Sequence, residues 1–235
     1  MIDGKRVLAI VPARGGSKRL PQKNVLPLCG KPLIGWSIDA AKQSQYVDEV
    51  FVSTDDQQIA DIAWEYEIDV PELRPAHLAS DTATTVDVLL DVLDKYGSEF
   101  DVLVLLQPTS PLRDADHIDE ALELYTNKQA ESVVSVTPCE HSPLWSNTLP
   151  EDGSMGEFIS SEALKRSQEL ATYYRLNGAL YIFDIKILQQ RKLIQYTSKS
   201  FSYVMDNHVS FDIDNAVDFE LAEFFMQKRN ANTVS

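Results

Sequence analysis

The run Asp101 to Leu106, DVLVLL, is apolar at every position after its first. A stretch this short, without polar alternation, reads as a strand covered on both faces, which places it inside a sheet with helices on either side. Four more short runs repeat the theme: Val7 to Val11, EVFVS (49–53), SVVSV (132–136) and NGALYIFD (177–184). Between them lie amphipathic stretches. Residues 32–43 carry Leu33, Trp36, Ile38 and Ala40; the stretch after Thr54-Asp55-Asp56 carries Ile59, Ile62, Ala63 and Tyr66; residues 84–96 carry Val86, Leu89, Leu90 and Leu93. Further helices are expected over 115–127, 185–190 and 216–228, with NANTVS (230–235) as a frayed tail. Strand and helix taking turns in this way predicts an α/β fold, a mainly parallel sheet flanked by helices. HVSFDID (208–214) is expected to add another extended segment.

The 235 residues suit a single domain, 1–235, large enough to bury a sizeable core. Its pattern breaks only between Pro138 and Thr172, where Pro150, Asp152 and Gly153 favour turns. That is too long for a simple connection, so 138–172 reads as an inserted arm that closes a site or pairs subunits.

Charge is distributed unevenly. The first 38 residues carry +6 and the remainder −21, for a net −15. Most of the positive charge belongs to one loop, PARGGSKRLPQKN, directly after the first strand. In an open α/β sheet that edge is where ligands bind. Gly15 and Gly16 tolerate positive φ and would let successive backbone N–H groups converge on an anion, with Arg14, Lys18 and Lys23 adding full charges. A small polyphosphate fits this loop. It is neither a GxxxxGK[ST] P-loop nor a GxGxxG dinucleotide turn, and Pro21 stops a helix from starting there.

Asp212 and Asp214 flank Ile213. On extended backbone they project to one side and repel each other unless a cation intervenes, and oxygen ligands with phosphates favour Mg²⁺. The same pair also reads as an exposed Asp212 beside an Asp214 that caps the last helix. Gln107 opens QPTSPLR at the end of the most apolar strand, where an amide suits a polyhydroxylated ligand, and the two prolines equally shape a turn with Asp114 as its helix cap. Arg74 can hold a base or a neighbouring acid. Thr84 and Thr85 can meet a ligand or start a helix.

Several classes are excluded. No run approaches the ~18 apolar residues of a membrane span, and MIDGKR lacks a signal peptide's hydrophobic stretch, so a cytoplasmic protein is expected. An acidic total argues against nucleic-acid binding. Cys29 and Cys139 have no metal-ligand or disulfide spacing, and His77, His117, His141 and His208 fall in no HxxxH or HExxH pattern, which makes them structural or surface residues. No GxSxG elbow supports covalent catalysis.

Taken in order, PARGGSKRLPQKN, VSTDD, RPAHLASDTATT, LLQPTSPLR, RLNGALYI and SFDID make the chain similar, over nearly its whole length, to the CMP-sialic-acid synthetase family. These cytidylyltransferases activate nine-carbon 2-keto sugar acids, the nonulosonates. The resemblance implies a Rossmann-like nucleotidyltransferase fold, a homodimer whose arm completes the neighbour's sugar pocket, and the reaction of CTP with a nonulosonate to give CMP-nonulosonate and pyrophosphate, with Mg²⁺. It implies that Arg14, Ser17, Lys18 and Lys23 hold the triphosphate and Asn24 the ribose. Arg74, Ala83 and Thr85 would meet cytosine; Gln107, Tyr181 and Asn177 the sugar acid; Asp212 and Asp214 the metal. Two positions depart from many sialate-activating members: Ser167 precedes Gln168, with Arg166 one place earlier, and Trp145 falls about where some have lysine. Both concern the sugar, so legionaminic acid competes with N-acetylneuraminic acid. A synthetase for the eight-carbon Kdo and a binding module without turnover are the alternatives.

Overall fold

A computed structural model describes residues 1–156 and 158–233. Six strands form one sheet in the order β4-β1-β5-β7-β6-β8: β1 Val7–Pro12, β4 Glu49–Ser53, β5 Val102–Leu105, β6 Ser132–Pro138, β7 Tyr174–Asp184 and β8 Ser200–Val204. Five run one way and β7 opposes them, pairing antiparallel with β5 and β6. A separate two-stranded ribbon pairs β2 (Pro27–Leu28) with β3 (Lys31–Pro32). All four residues of β5 are buried, as a strand flanked on both faces must be.

Alternation along β1 shows how the layers assemble. Val7, Ala9 and Val11 meet one set of helices, through Ile34 and Ile38 of α1 (Leu33–Gln43), Ile59 of α2 (Gln57–Glu65) and Ile118 of α4 (Ala115–Asn127). Leu8 and Ile10 point the other way, to Leu89 and Leu93 of α3 (Thr85–Tyr96) and Leu188 of α5 (Ile185–Arg191). Each such valine, leucine or isoleucine contributes about 1.5–3 kcal/mol when fully buried, so either face slipping into water would undo the layer. Local signals agree with this packing. Asp56 caps α2, and Thr84 with Asp87 forms a capping box on α3.

A third cluster joins the last helix, α6 (Ala216–Thr233), to the ribbon through Leu28, Leu33, Leu112, Ile213 and Met226. Two expectations fail in this part of the chain. Residues 211–214 belong to no strand; they follow a 3₁₀ turn at Asn207–Val209, while the eighth strand lies earlier, at Ser200–Val204. The supposed tail is helical through Thr233, and Val234 and Ser235 lie outside the described residues.

The 139–173 connection leaves the β6–β7 hairpin, whose last pair is Pro138 with Tyr174, and its described residues form 3₁₀ turns but no α-helix or strand. It folds back on itself where Trp145 Nε1 donates to the Ala163 carbonyl at 2.7 Å. Among the described residues no helix is long and apolar enough to cross a membrane.

Candidate functional site

The loops after β1, β4 and β5 leave the same edge of the sheet, and a cleft of about 630 Å³ opens between them. Arg14, Ser17, Lys18, Lys23, Asn24, Arg74, Ala83, Thr85, Gln107 and Asp214 all line it. Five cationic side chains face it against two carboxylates, Asp81 and Asp214, so the cleft is locally positive in an acidic protein. That polarity suits a polyanion.

The basic loop is held from both ends. Ala13 N donates to Ser53 O at 2.9 Å, and Asn24 Nδ2 closes the loop onto Arg14 O at 3.0 Å. The glycines act otherwise than their positive-φ allowance implied, since neither Gly15 nor Gly16 adopts positive φ. Gly15 N donates to Asp55 Oδ1 at 3.1 Å and is not offered to an anion. Glycine is needed there for space: a Cβ would fall 2.8 Å from Asp56 Cβ and into the carboxylate that accepts from Gln58 N and Ile59 N to cap α2. Gly15→Ala should therefore cost about 1–2 kcal/mol in a urea melt, the worth of the displaced cap and a loop shift. Gly16→Ala, with nothing within 4 Å, should melt like the unaltered protein.

Lys23 and Arg19 join this loop to the segment near the carboxyl end. Lys23 Nζ donates to Ile213 O at 2.5 Å and lies 3.9 Å from Asp214, while Arg19 pairs with Asp214 at 2.6 Å. Burial pushes the Lys23 ammonium below its ordinary pKa, and Asp214 and Asp212 oppose that shift. Ile213 is fully buried and its N–H bonds Thr109 O at 2.8 Å, so Asp212 and Asp214 are displayed on either side of an anchored residue. Asp214 is not the helix cap. Asn215 takes that role, accepting from Asp218 N and Val217 N, while Asp218 accepts in return from Asn215 N.

Asp212 lies beside the main cleft, on the side of Gln107. A Cβ built on Gly178 would come within 3.7 Å of Gln107 Oε1 and 3.8 Å of Asp212 Oδ2, which places both side chains against one glycine. Burial raises the Asp212 pKa most; contact with the Thr109 hydroxyl lowers it, and Asp214 raises it again. Tyr181 pairs with Leu105 just below, and its phenol is pushed up by burial, then by Tyr196 and Asp212.

Arg74 is nine-tenths buried, its Nε donating to Ser53 Oγ at 3.0 Å and its Nη2 to Ser53 O. It forms the cleft wall beside Ala83 and Thr85 at the start of α3. Asn177 is the exception among the expected ligand contacts. Only 2% exposed, it accepts from Ser135 Oγ at 2.6 Å and donates to Ser210 Oγ at 3.0 Å, so its amide is spent inside the fold and not on a sugar. Its bonds tie β6, β7 and the turn before Asp212 together.

Two residues without a sequence-based role emerge. Asp81 reaches across the cleft to Arg14 and Lys18. Arg113 is buried beneath Gln107, donating from Nη2 to Ser37 Oγ, which in turn donates to Gln107 O. Asp81 stood in plain view as the lone acid of RPAHLASDTATT, whereas nothing in QPTSPLR marks its arginine for the interior.

A cytidylyltransferase family profile matches residues 8–234. A CMP-N,N'-diacetyllegionaminic acid synthase of Legionella pneumophila is 40% identical over 233 residues, 94% of this chain and 97% of that protein. An N-acylneuraminate cytidylyltransferase of Escherichia coli is 38% identical over 97% of this chain, but the chain spans only 54% of its length. A pseudaminic acid cytidylyltransferase of Campylobacter jejuni is 32% identical over 92% of this chain and 94% of that protein. Among solved structures, a CMP:2-keto-3-deoxy-manno-octonic acid synthetase complexed with CTP superposes with a TM-score of 0.73 at 19% identity, covering 95% of this chain and 99% of the other. That likeness shows a shared nucleotidyltransferase fold.

Proposed function

The chain belongs to the cytidylyltransferase family, and from that premise we propose that it activates a nine-carbon 2-keto sugar acid: CTP and a nonulosonate give CMP-nonulosonate and pyrophosphate. The observation that carries this reading is the junction of Arg19 and Lys23 with Asp214 and Ile213, because it joins the cationic loop to Asp214 in one cleft, with Asp212 beside it. A polyphosphate and a divalent ion would then share a single site.

The chemistry follows from that placement. The anomeric hydroxyl oxygen of the sugar forms a bond to the α-phosphorus, the bond from that phosphorus to the bridging oxygen breaks, and the hydroxyl proton is lost as pyrophosphate leaves. Arg14, Lys18 and Lys23 stabilise charge on the phosphate oxygens from a loop already fixed in the fold, so little reorganisation is needed as charge migrates to the leaving group. Arg74, Ala83 and Thr85 form the wall suited to the base, with Asn24 toward the ribose. Gln107, which lines the cleft, and Tyr181, paired with Leu105 two positions before it, mark the side suited to the sugar.

The residues fit Mg²⁺. Asp212 and Asp214 are two carboxylates on either side of Ile213, Asp214 raises the cost of ionising Asp212, and the described residues contain no group of three or more His, Cys, Asp or Glu able to hold a metal unaided. Two carboxylates plus substrate phosphates make a characteristic magnesium donor set. When bound, the ion would supply charge neutralisation at the phosphates.

The arm supports a homodimer. Leu149, Met155 and Leu164 are more than half exposed, as are Tyr174 and Leu176 where β7 begins, and covering such side chains favours association. A cytoplasmic location agrees with the use of CTP. For the sugar, the match along 97% of the legionaminate enzyme supports N,N'-diacetyllegionaminic acid as the first candidate, with N-acetylneuraminic acid next. The test is pyrophosphate release with Mg²⁺, each of the four nucleoside triphosphates, and a panel of 2-keto sugar acids that includes Kdo. We expect release with CTP and a nine-carbon acid only. Turnover with Kdo alone, or CTP binding without release, would replace this reading with one of its alternatives.

A further inference from the structure

We propose that Asp81 is a built-in counter-charge to the nucleotide: its carboxylate holds Arg14 and Lys18 and yields them to the incoming phosphates, which limits the affinity for both CTP and pyrophosphate. The inference rests on the triphosphate reading of the cleft. Asp81 Oδ1 lies 3.2 Å from Arg14 Nη1, and Oδ2 lies 2.6 Å from Lys18 Nζ, so each oxygen serves a different cation. Both partners come from the basic loop, more than 60 residues away in sequence, and all three side chains line the same cleft. An ordinary surface carboxylate has no reason to engage two cations of a phosphate loop at once.

The physics makes the contact reversible. All three side chains are substantially exposed, and exposed pairs contribute little to stability, so a polyphosphate bearing several charges displaces a single carboxylate readily. The Lys18 hydrogen bond, followed by the Lys18 charge, holds the Asp81 carboxyl below the usual carboxylate range. Asp81 therefore remains ionised at any working pH, and competition is what frees its partners. Once displaced, it remains near the phosphates as a like charge. That penalises bound triphosphate and bound pyrophosphate together, which shortens the life of the product complex.

The experiment compares the unaltered protein with Asp81→Asn and Asp81→Ser, each checked by thermal melting. Calorimetry would measure binding of inorganic tripolyphosphate, pyrophosphate, CTP and CMP. In both variants tripolyphosphate, pyrophosphate and CTP should bind about fivefold more tightly at low salt, with the gain shrinking near about 0.5 M NaCl. CMP, which has neither β- nor γ-phosphate, should change least. Pyrophosphate should also become the stronger product inhibitor. Unchanged or weaker tripolyphosphate binding in a variant that melts normally would overturn the proposal, as would an unaltered protein that binds no polyphosphate. If the unaltered protein binds tripolyphosphate but not CTP, the cytidylyl reading fails while the Asp81 comparison still decides its own case.

Discussion

Asp212→Asn should leave a folded protein that melts no lower than the unaltered one yet releases pyrophosphate at least about a hundredfold more slowly, the scale expected when a principal charge-stabilising group at a reacting phosphate is lost. The two halves of this result share one cause. Burial raises the Asp212 pKa, so the fold disfavours its ionised form. A carboxyl whose folded pKa exceeds its unfolded value binds its proton more tightly in the native state, and ionising it lowers stability as pH rises through that window. The neutral amide is spared this cost. The variant's advantage in melting temperature should therefore be absent in strong acid, grow as pH passes from the ordinary carboxylate value through the raised one, and persist at neutrality. Activity should run in the opposite sense, because the proposed Mg²⁺ site needs the carboxylate, and the acid limb of kcat/KM should follow Asp212. Calorimetry with Mg²⁺ and CTP gives an independent readout, in which the variant should lose metal-dependent nucleotide binding. Full turnover in Asp212→Asn would remove the metal assignment, and a large drop in melting temperature would make the residue structural.

The fold was largely legible because its strands are either fully apolar, like 102–105, or sharply divided between two faces, like 7–11, and its helices announce themselves with Asp56, Thr84 and Asp114 at their starts. What failed was context-dependent. Phe211 to Asp214 alternates as a strand would, but Ile213 is drawn into the cluster beneath α6 while its N–H pairs with a loop carbonyl, so the alternation records one buried anchor and no ladder. Ser200–Val204 mixes polar and apolar residues because β8 is an edge strand, buried on only part of its surface. At the site, residue types indicated the cations and carboxylates. They could not show that Asn177 spends its amide internally, that Gly15 makes room for Asp56, or that Asn215 relieves Asp214 of capping, since each depends on partners distant in the chain or on competition between neighbouring polar groups.

Arg113 offers the sharpest separation of stability from positioning. The side chain is 1% exposed, with Nε donating to Ala179 O at 3.2 Å and Nη2 to Ser37 Oγ at 2.6 Å. Ser37 belongs to α1, Ala179 to β7, and the Ser37 hydroxyl reaches Gln107 O at 3.4 Å, so a single guanidinium braces three elements around the Gln107 side of the cleft. Nη1 is buried without a hydrogen-bond partner among the described residues, and burial pushes the pKa down to about 10, with Asp114 opposing through space. A charge held on such terms costs the fold something, which argues that it is retained for geometry. Arg113→Ala removes volume and strands the Ala179 carbonyl and Ser37 hydroxyl, and should lose about 3 kcal/mol or more in a denaturant melt. Arg113→Met refills most of that volume without a buried charge but leaves the same two groups unpaired, and should recover about half of that loss. Stability thus returns in part with the methionine, but the brace does not. In Arg113→Met the KM for the sugar acid should rise several-fold while the KM for CTP holds, because Gln107 and the Gly178–Ala179 backbone lose their tether and the basic loop keeps its own. A methionine variant with an unaltered sugar KM would reduce Arg113 to a space-filler, and a parallel rise in both KM values would mean that the whole cleft had shifted.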